Sequence, residues 1–327
     1  MSLESPDVLS HLTSWLTSFE LRLMRSLCRT IYTAIPQNTW ELTVSHVSSS
    51  KSIKHLFTVF PHVWCLRVHD ALLEELPTIE SLVPWLDKSW KLRELILIRV
   101  TCISGFNLHL LAEELTTVVI RECYQVKEPA IVAPNLETLV IWHCPVTTFH
   151  TNTSLPRLKT LTLSSQYFTQ ARHLIKVTLL KSPVLEKLIL AGCSQLEQVV
   201  MNPKDLPSLR QLDLSSCAKL TRVHVTSKLL QNLNLSCNDN LLYLLLDVDC
   251  MVSLDLSFLK SLTHLSIRSR SLQQLNLRGC SQLTESTLSI KCPNLQFVVI
   301  QGTSIVMEDV KKTKQSNCNE VFITRDS

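Results

Sequence analysis

The chain has 327 residues, 45% hydrophobic and 18% charged, with a formal net charge of +4. That composition excludes a disordered chain, and the even mixing of basic and acidic residues excludes the concentrated basic footprint of a nucleic-acid binder. The start, Met1 to Asp7, lacks the basic residues and apolar run of a signal peptide, and the richest apolar run, Leu241 to Leu246, is far short of a membrane span. The expected setting is therefore cytoplasmic and/or nuclear, with no membrane and no nucleic acid as partner.

The first elements in chain order are helical. Ser5-Pro6-Asp7 reads as a helix start, with Ser5 as N-cap and Pro6 at the first helical position. Val8, Leu9, Leu12, Trp15 and Leu16 follow at helical spacing. Thr17-Ser18 can cap a second helix whose apolar face carries Leu21, Met24, Leu27, Cys28 and Ile31. So short a segment buries too little apolar surface to stand alone. It must rest on the domain that follows, on a partner, or on both. Residues 1–45 are predicted to form this helical module, and residues 46–327 one long repeat domain with a terminal cap.

From Val63 onward a unit of the form Leu-x-x-Leu-x-Leu recurs. Its copies begin at Val63, Leu92, Leu115, Leu136, Leu158, Leu185, Leu209, Leu230, Met251, Leu272 and Leu295, mostly 21 to 24 residues apart. In a strand, alternate side chains point to opposite faces, so the Leu-x-Leu pair turns inward. One such strand cannot bury its leucines, but stacked copies build a continuous core. The period falls within that of leucine-rich repeats. Val321-Phe322-Ile323 reads as a capping strand.

A second strand-like pattern lies eleven residues after the first: Leu220/Val223/Val225, Leu241/Leu244/Leu246 and Leu262/Leu265/Ile267. Ile103/Phe106/Leu108, Val126/Ile131 and Leu196/Val199/Met201 follow it more loosely. The predicted fold is an α/β leucine-rich-repeat solenoid, mostly β, with two short strands per repeat and the N-terminal helical module. Two longer inserts, Leu72 to Leu86 and Gln170 to Leu180, are predicted to be helical. Cys123, Cys144, Cys193, Cys217 and Cys280 each lie eight residues after the first leucine of their repeat, as does Asn238. This is the Asn/Cys position of the repeat, where a small buried side chain bonds to backbone in the turn. These cysteines are thus expected to be structural, not metal ligands or a redox cluster.

No P-loop, Gly-x-Ser-x-Gly or dinucleotide fingerprint is present. His143 and Cys144 are neighbours, but the repeat claims Cys144 for structure. No catalytic residue, metal or cofactor is expected. The residues between the inward leucines should instead line a binding strip. Ile96, Ile98, Val119, Val140 and Trp142 make its first part apolar, with Trp142 as the natural anchor. Asp213, Asn234, Asp255, Asn276 and Arg278 make the later part polar. The strip is predicted to capture a protein substrate.

Ser5-Pro6-Asp7-Val8-Leu9, then Leu12, Leu16, Glu20-Leu21 and Leu27-Cys28-Arg29, with Trp40 beyond, resemble an F-box. Ser5, Ser26 and Ile31 depart from the motif. Placed before leucine-rich repeats, and with phrases such as Cys292-Pro293-Asn294-Leu295, the whole chain resembles the F-box/leucine-rich-repeat proteins. The resemblance implies a non-catalytic substrate-recognition adaptor of an SCF-type (Skp1–cullin–F-box) ubiquitin ligase. Pro6, Leu9, Leu12, Leu16, Leu21, Met24 and Leu27 match the apolar positions, and by that match would dock a Skp1-like protein and, through it, cullin and RING subunits. Two alternatives stay open: a repeat scaffold whose N-terminal helices merely cap the core, and a pathogen or viral F-box protein that borrows a host ligase.

Overall fold

Alternation of buried side chains with more exposed ones marks most strands of the core. The computed structural model describes residues 40–45, 62–70, 72–73, 92–102, 109–111, 113–127, 129–151, 155–164, 174–179, 182–201, 204, 206–305 and 322–324. They fall into two compact units, Met1–Pro145 and Val146–Ser327. Each unit coils as a parallel-strand solenoid.

In the first unit, Glu41–Ser45, Cys65–His69, Glu94–Ile98, Thr117–Arg121 and Thr138–Trp142 stack in parallel. The last three share one burial alternation, with Leu95/Leu97, Val118/Ile120 and Leu139/Ile141 inward. Each fully buried leucine is worth about 1.5–3 kcal/mol relative to an exposed one. These first-side strands are backed by two small pairs, Leu72–Leu73 with Thr101–Cys102 and His109–Leu111 with Ala130–Val132.

The second unit repeats the plan. Its first side carries Thr160–Ser164, Lys187–Ile189, Gln211–Asp213 and Asn232–Asn234, then Ser253–Asp255, Gln274–Asn276, Phe297–Val299 and the cap Phe322–Thr324. Its second side carries Thr148–Thr151, Lys176–Leu179 and Gln198–Met201, then Arg222–Ser227, Tyr243–Val248, His264–Arg268 and Leu288–Lys291. Both predicted strand patterns and the capping strand are therefore present among the described residues; the predicted copy Ile103/Phe106/Leu108 lies outside them. Among the described residues, no helix is long and apolar enough to cross a membrane.

The predicted helical insert Gln170 to Leu180 is corrected over its described part, residues 174–179. Lys176–Leu179 is a second-side strand, with Val177 and Leu179 buried and parallel partners on both sides. Pairing on both edges outweighs the ambiguous spacing of a short apolar run. Leu72–Leu73, at the start of the other insert, is also a strand; residues 74–91 lie outside the described residues. So does the predicted helical segment before residue 40, and with it Pro6, Leu9, Leu12, Leu16, Leu21, Met24 and Leu27. The strand Glu41–Ser45 starts the stack earlier than the first recognised repeat.

Among the described residues, the turns after the first-side strands follow one rule. Two residues after the second inward side chain, the backbone enters the left-handed region: Asp70, Arg99, Glu122 and His143 in the first unit, and Gly192, Ser216, Cys237, Phe258, Gly279 and Gly302 in the second. Most of these N–H groups donate to a carbonyl of the next repeat, as from Arg99 to Arg121 at 2.9 Å and from Gly279 to Gln301 at 2.8 Å.

The next residue fills the predicted Cys/Asn slot. Cys193 donates its thiol to the Leu163 carbonyl at 3.1 Å, Cys217 to Leu190 at 3.3 Å and Cys280 to Leu256 at 3.0 Å. Asn238 does the same work with an amide: Nδ2 donates to Leu214 and Leu235 at 2.8 Å each, and Oδ1 accepts from the Cys217 N–H at 2.9 Å. Such buried backbone groups would otherwise stay unsatisfied.

Candidate interaction surface

The predicted strip divides between the two units. In the first unit, strand register puts Ile96 beside Val119 and Val119 beside Val140. The same register aligns Ile98, Arg121 and Trp142 one step along. All of these except the exposed Arg121 are half-buried. The result is a flat apolar row flanked by an aromatic–cation row. The Arg121 guanidinium stands 4.9 Å from the centroid of the Trp142 ring. At partly exposed sites such a contact contributes about 0.5–1 kcal/mol. The His143 ring lies 4.7 Å from that of Trp142, and burial lowers the His143 pKa, which favours the neutral imidazole.

Charge edges this face. Arg99 reaches Asp70 through two contacts, at 2.5 and 3.0 Å, and Glu122 at 3.6 Å. These partners hold the Arg99 guanidinium above its usual range. Arg67 pairs with Glu41 at 2.6 Å. Exposed ion pairs add little stability, so what they contribute here is a polar rim around an apolar centre, the usual anatomy of a protein interface.

The polar half of the strip behaves differently. Asp213 and Asn234 are register neighbours, as are Asp255 and Asn276. Each accepts a hydrogen bond from the backbone two residues on: Asp213 from Ser215 at 2.9 Å, Asn234 from Ser236 at 3.1 Å, Asp255 from Ser257 at 2.8 Å and Asn276 from Arg278 at 3.0 Å. Asp213 also takes the Asn234 amide at 3.2 Å. These are Asx turns that end the strand. Predicted as substrate contacts, these side chains each commit an oxygen to folding their own repeat.

Arg121 escaped the sequence reading, although it precedes Trp142 by one 21-residue period. The same period relates Arg222, Tyr243 and His264 on the second side of the second unit. There Arg222 lies 4.7 Å over the Tyr243 ring, which stacks on His264 at 4.5 Å.

The slot thiols Cys144, Cys217 and Cys280 and the strand thiol Cys65 are shifted upward, whereas the hydrogen bond with Cys144 pulls Cys123 down. Burial pushes Cys65 and Cys217 up to about 12 and Cys280 up to about 11. The Cys123 thiol and burial together push Cys144 upward. A thiol held protonated neither attacks nor ligates.

No family model matches the chain. No curated protein matches it either. Similar solved structures include a leucine-rich-repeat protein of Leptospira interrogans, at 16% identity and a TM-score of 0.33 over 88% of this chain and 89% of that one. The Rad7 and Elc1 complex of yeast is similar at 14% identity and a TM-score of 0.26, over 93% of this chain and 86% of that one.

Proposed function

We propose that the protein is a non-catalytic binding module, a substrate-recognition adaptor of an SCF-type ubiquitin ligase. Its F-box-like segment docks a Skp1-like protein, and the face around Trp142 captures a protein substrate. The observation that carries the capture step is the register of Ile96, Val119 and Val140 beside the Arg121–Trp142 pair. A flat apolar centre with an indole and a charged rim suits burial against another protein. Catalysis would be proximity: the adaptor holds a substrate near a separate ubiquitin-loading enzyme.

Co-purification with Skp1 tests the docking half. The native chain is expected to carry Skp1, and a folded Pro6→Ala, Leu9→Ala, Leu12→Ala variant is expected to lose it. A well-folded native chain that retains no Skp1 rules out the adaptor reading. For the capture half, Trp142→Ala should abolish substrate retention while leaving Skp1 bound; retained substrate would move the capture site elsewhere.

A further inference from the structure

The second unit carries a cleft of about 550 Å³ where its second-side strands end. Register sets its charged lining. Asp247, Arg268 and Lys291 sit at paired positions on successive strands. Lys228 and Asp249 follow the paired residues Ser227 and Val248, and Arg270 lies two residues beyond Arg268. Four cations and two carboxylates therefore share one concavity.

Two observations point to a ligand. Arg268 lies directly opposite Lys291 in a parallel pair, and like charges so placed destabilise a sheet. Further, among the described residues, none of the four cations forms an ion pair with Asp247 or Asp249. The carboxylates share the cleft without a contact ion pair to the cations. The backbone beneath is tied down: the Lys291 carbonyl accepts from Ser269 N–H at 3.2 Å and the Arg270 carbonyl from Asn294 at 2.6 Å. The backbone that carries these side chains is thus fixed.

We propose that this cleft binds a phosphomonoester group flanked by hydrogen-bond donors. Four cations against two carboxylates leave an excess of two positive charges, which matches a phosphomonoester dianion. Arg and Lys are the side chains that recognise phosphate. Asp247 and Asp249 then accept from donors beside the phosphate, either the amides of a phosphorylated peptide or the hydroxyls of a sugar phosphate. The inference is independent of the adaptor reading.

The test is calorimetric titration of the full chain at low salt. The probes are a phosphoserine pentapeptide, its unphosphorylated counterpart and glucose 6-phosphate. At least one phosphorylated probe should bind saturably and the unphosphorylated peptide should not. Replacing Arg268→Gln and Lys291→Gln together should weaken binding about tenfold or more. Preference for the peptide identifies a phosphorylated protein segment as ligand; preference for glucose 6-phosphate identifies a small phosphate ester. Failure of both phosphorylated probes to bind, or equal binding of the two peptides, overturns the proposal. The ligand-free double variant should melt close to the native chain, because it loses a like-charge neighbour on one side of Arg268 and an opposite-charge neighbour on the other. A lower melting temperature would make the cations structural and also overturn it.

Discussion

A β-carbon on Gly279 would stand 2.8 Å from Cδ1 of Phe258, the residue one repeat earlier at the same turn position. Both residues have left-handed backbone, with φ of 71° and 62°. The phenyl ring, itself exposed, leans across the next turn because that turn has no side chain.

Gly279→Ala should therefore destabilise the second unit by about 2 kcal/mol, combining left-handed strain of about 1–2 kcal/mol with the ring contact. Adding Phe258→Ser should recover the contact share and leave the strain. Urea midpoints would show this; a Gly279→Ala variant as stable as the native chain would refute the account.

Asn238→Ala removes three buried hydrogen bonds at once. The expected loss is about 2–4 kcal/mol. Asn238→Cys should lose less, since a thiol fills this slot in neighbouring repeats. If the two variants melt together, the slot is not a hydrogen-bonding position.

The buried thiols make stability depend on alkaline pH. Cys217 rises from 9.0 to about 12 and Cys280 to about 11 on folding. The folded state thus disfavours thiolate. Its advantage is fully present below pH 9 and is lost as pH climbs from 9 through 11 to 12. At one pH unit above the unfolded pKa the loss is roughly 1 kcal/mol per thiol. Melting under reducing conditions at pH 8 and pH 10 should show a steeper fall for the native chain than for a Cys217→Ala, Cys280→Ala variant. Parallel curves would count against it.

Asp255→Asn should leave stability nearly unchanged, because an amide oxygen still accepts the Ser257 N–H. Asp255→Ala should cost about 1 kcal/mol through the lost turn bond. If Asp255→Asn proves as costly as Asp255→Ala, the carboxylate charge matters and the Asx-turn assignment is incomplete.

Periodicity made most of the fold legible. The leucine spacing located strands on both sides and the cysteine spacing located the turn slot, because inward placement is a property of alternation alone. It failed at Lys176–Leu179, where a longer repeat blurred the count and pairing on both edges decided the outcome. Glu41–Ser45 was missed because its alternation is too short to register without its partner strand. For the candidate surface, alternation placed Ile96, Val119, Val140 and Trp142 correctly as neighbours. It could not show that Asp213 and Asp255 use their oxygens on their own turns, since hydrogen-bond commitment depends on turn geometry. Arg121 was overlooked although the 21-residue period relates it to Trp142, because it ends its strand beyond the Leu-x-Leu pair.

The slot cysteines have one more consequence. Each is sealed inside its own repeat, while Cys237 and Cys250 are exposed. A thiol-labelling reagent can then reach a slot sulfur only when that repeat opens. Labelling rates read residue by residue would form a set of clocks distributed along each unit, timing the breathing of individual coils. Coils whose slot holds Val100, Asn238, Leu259 or Thr303 carry no such clock.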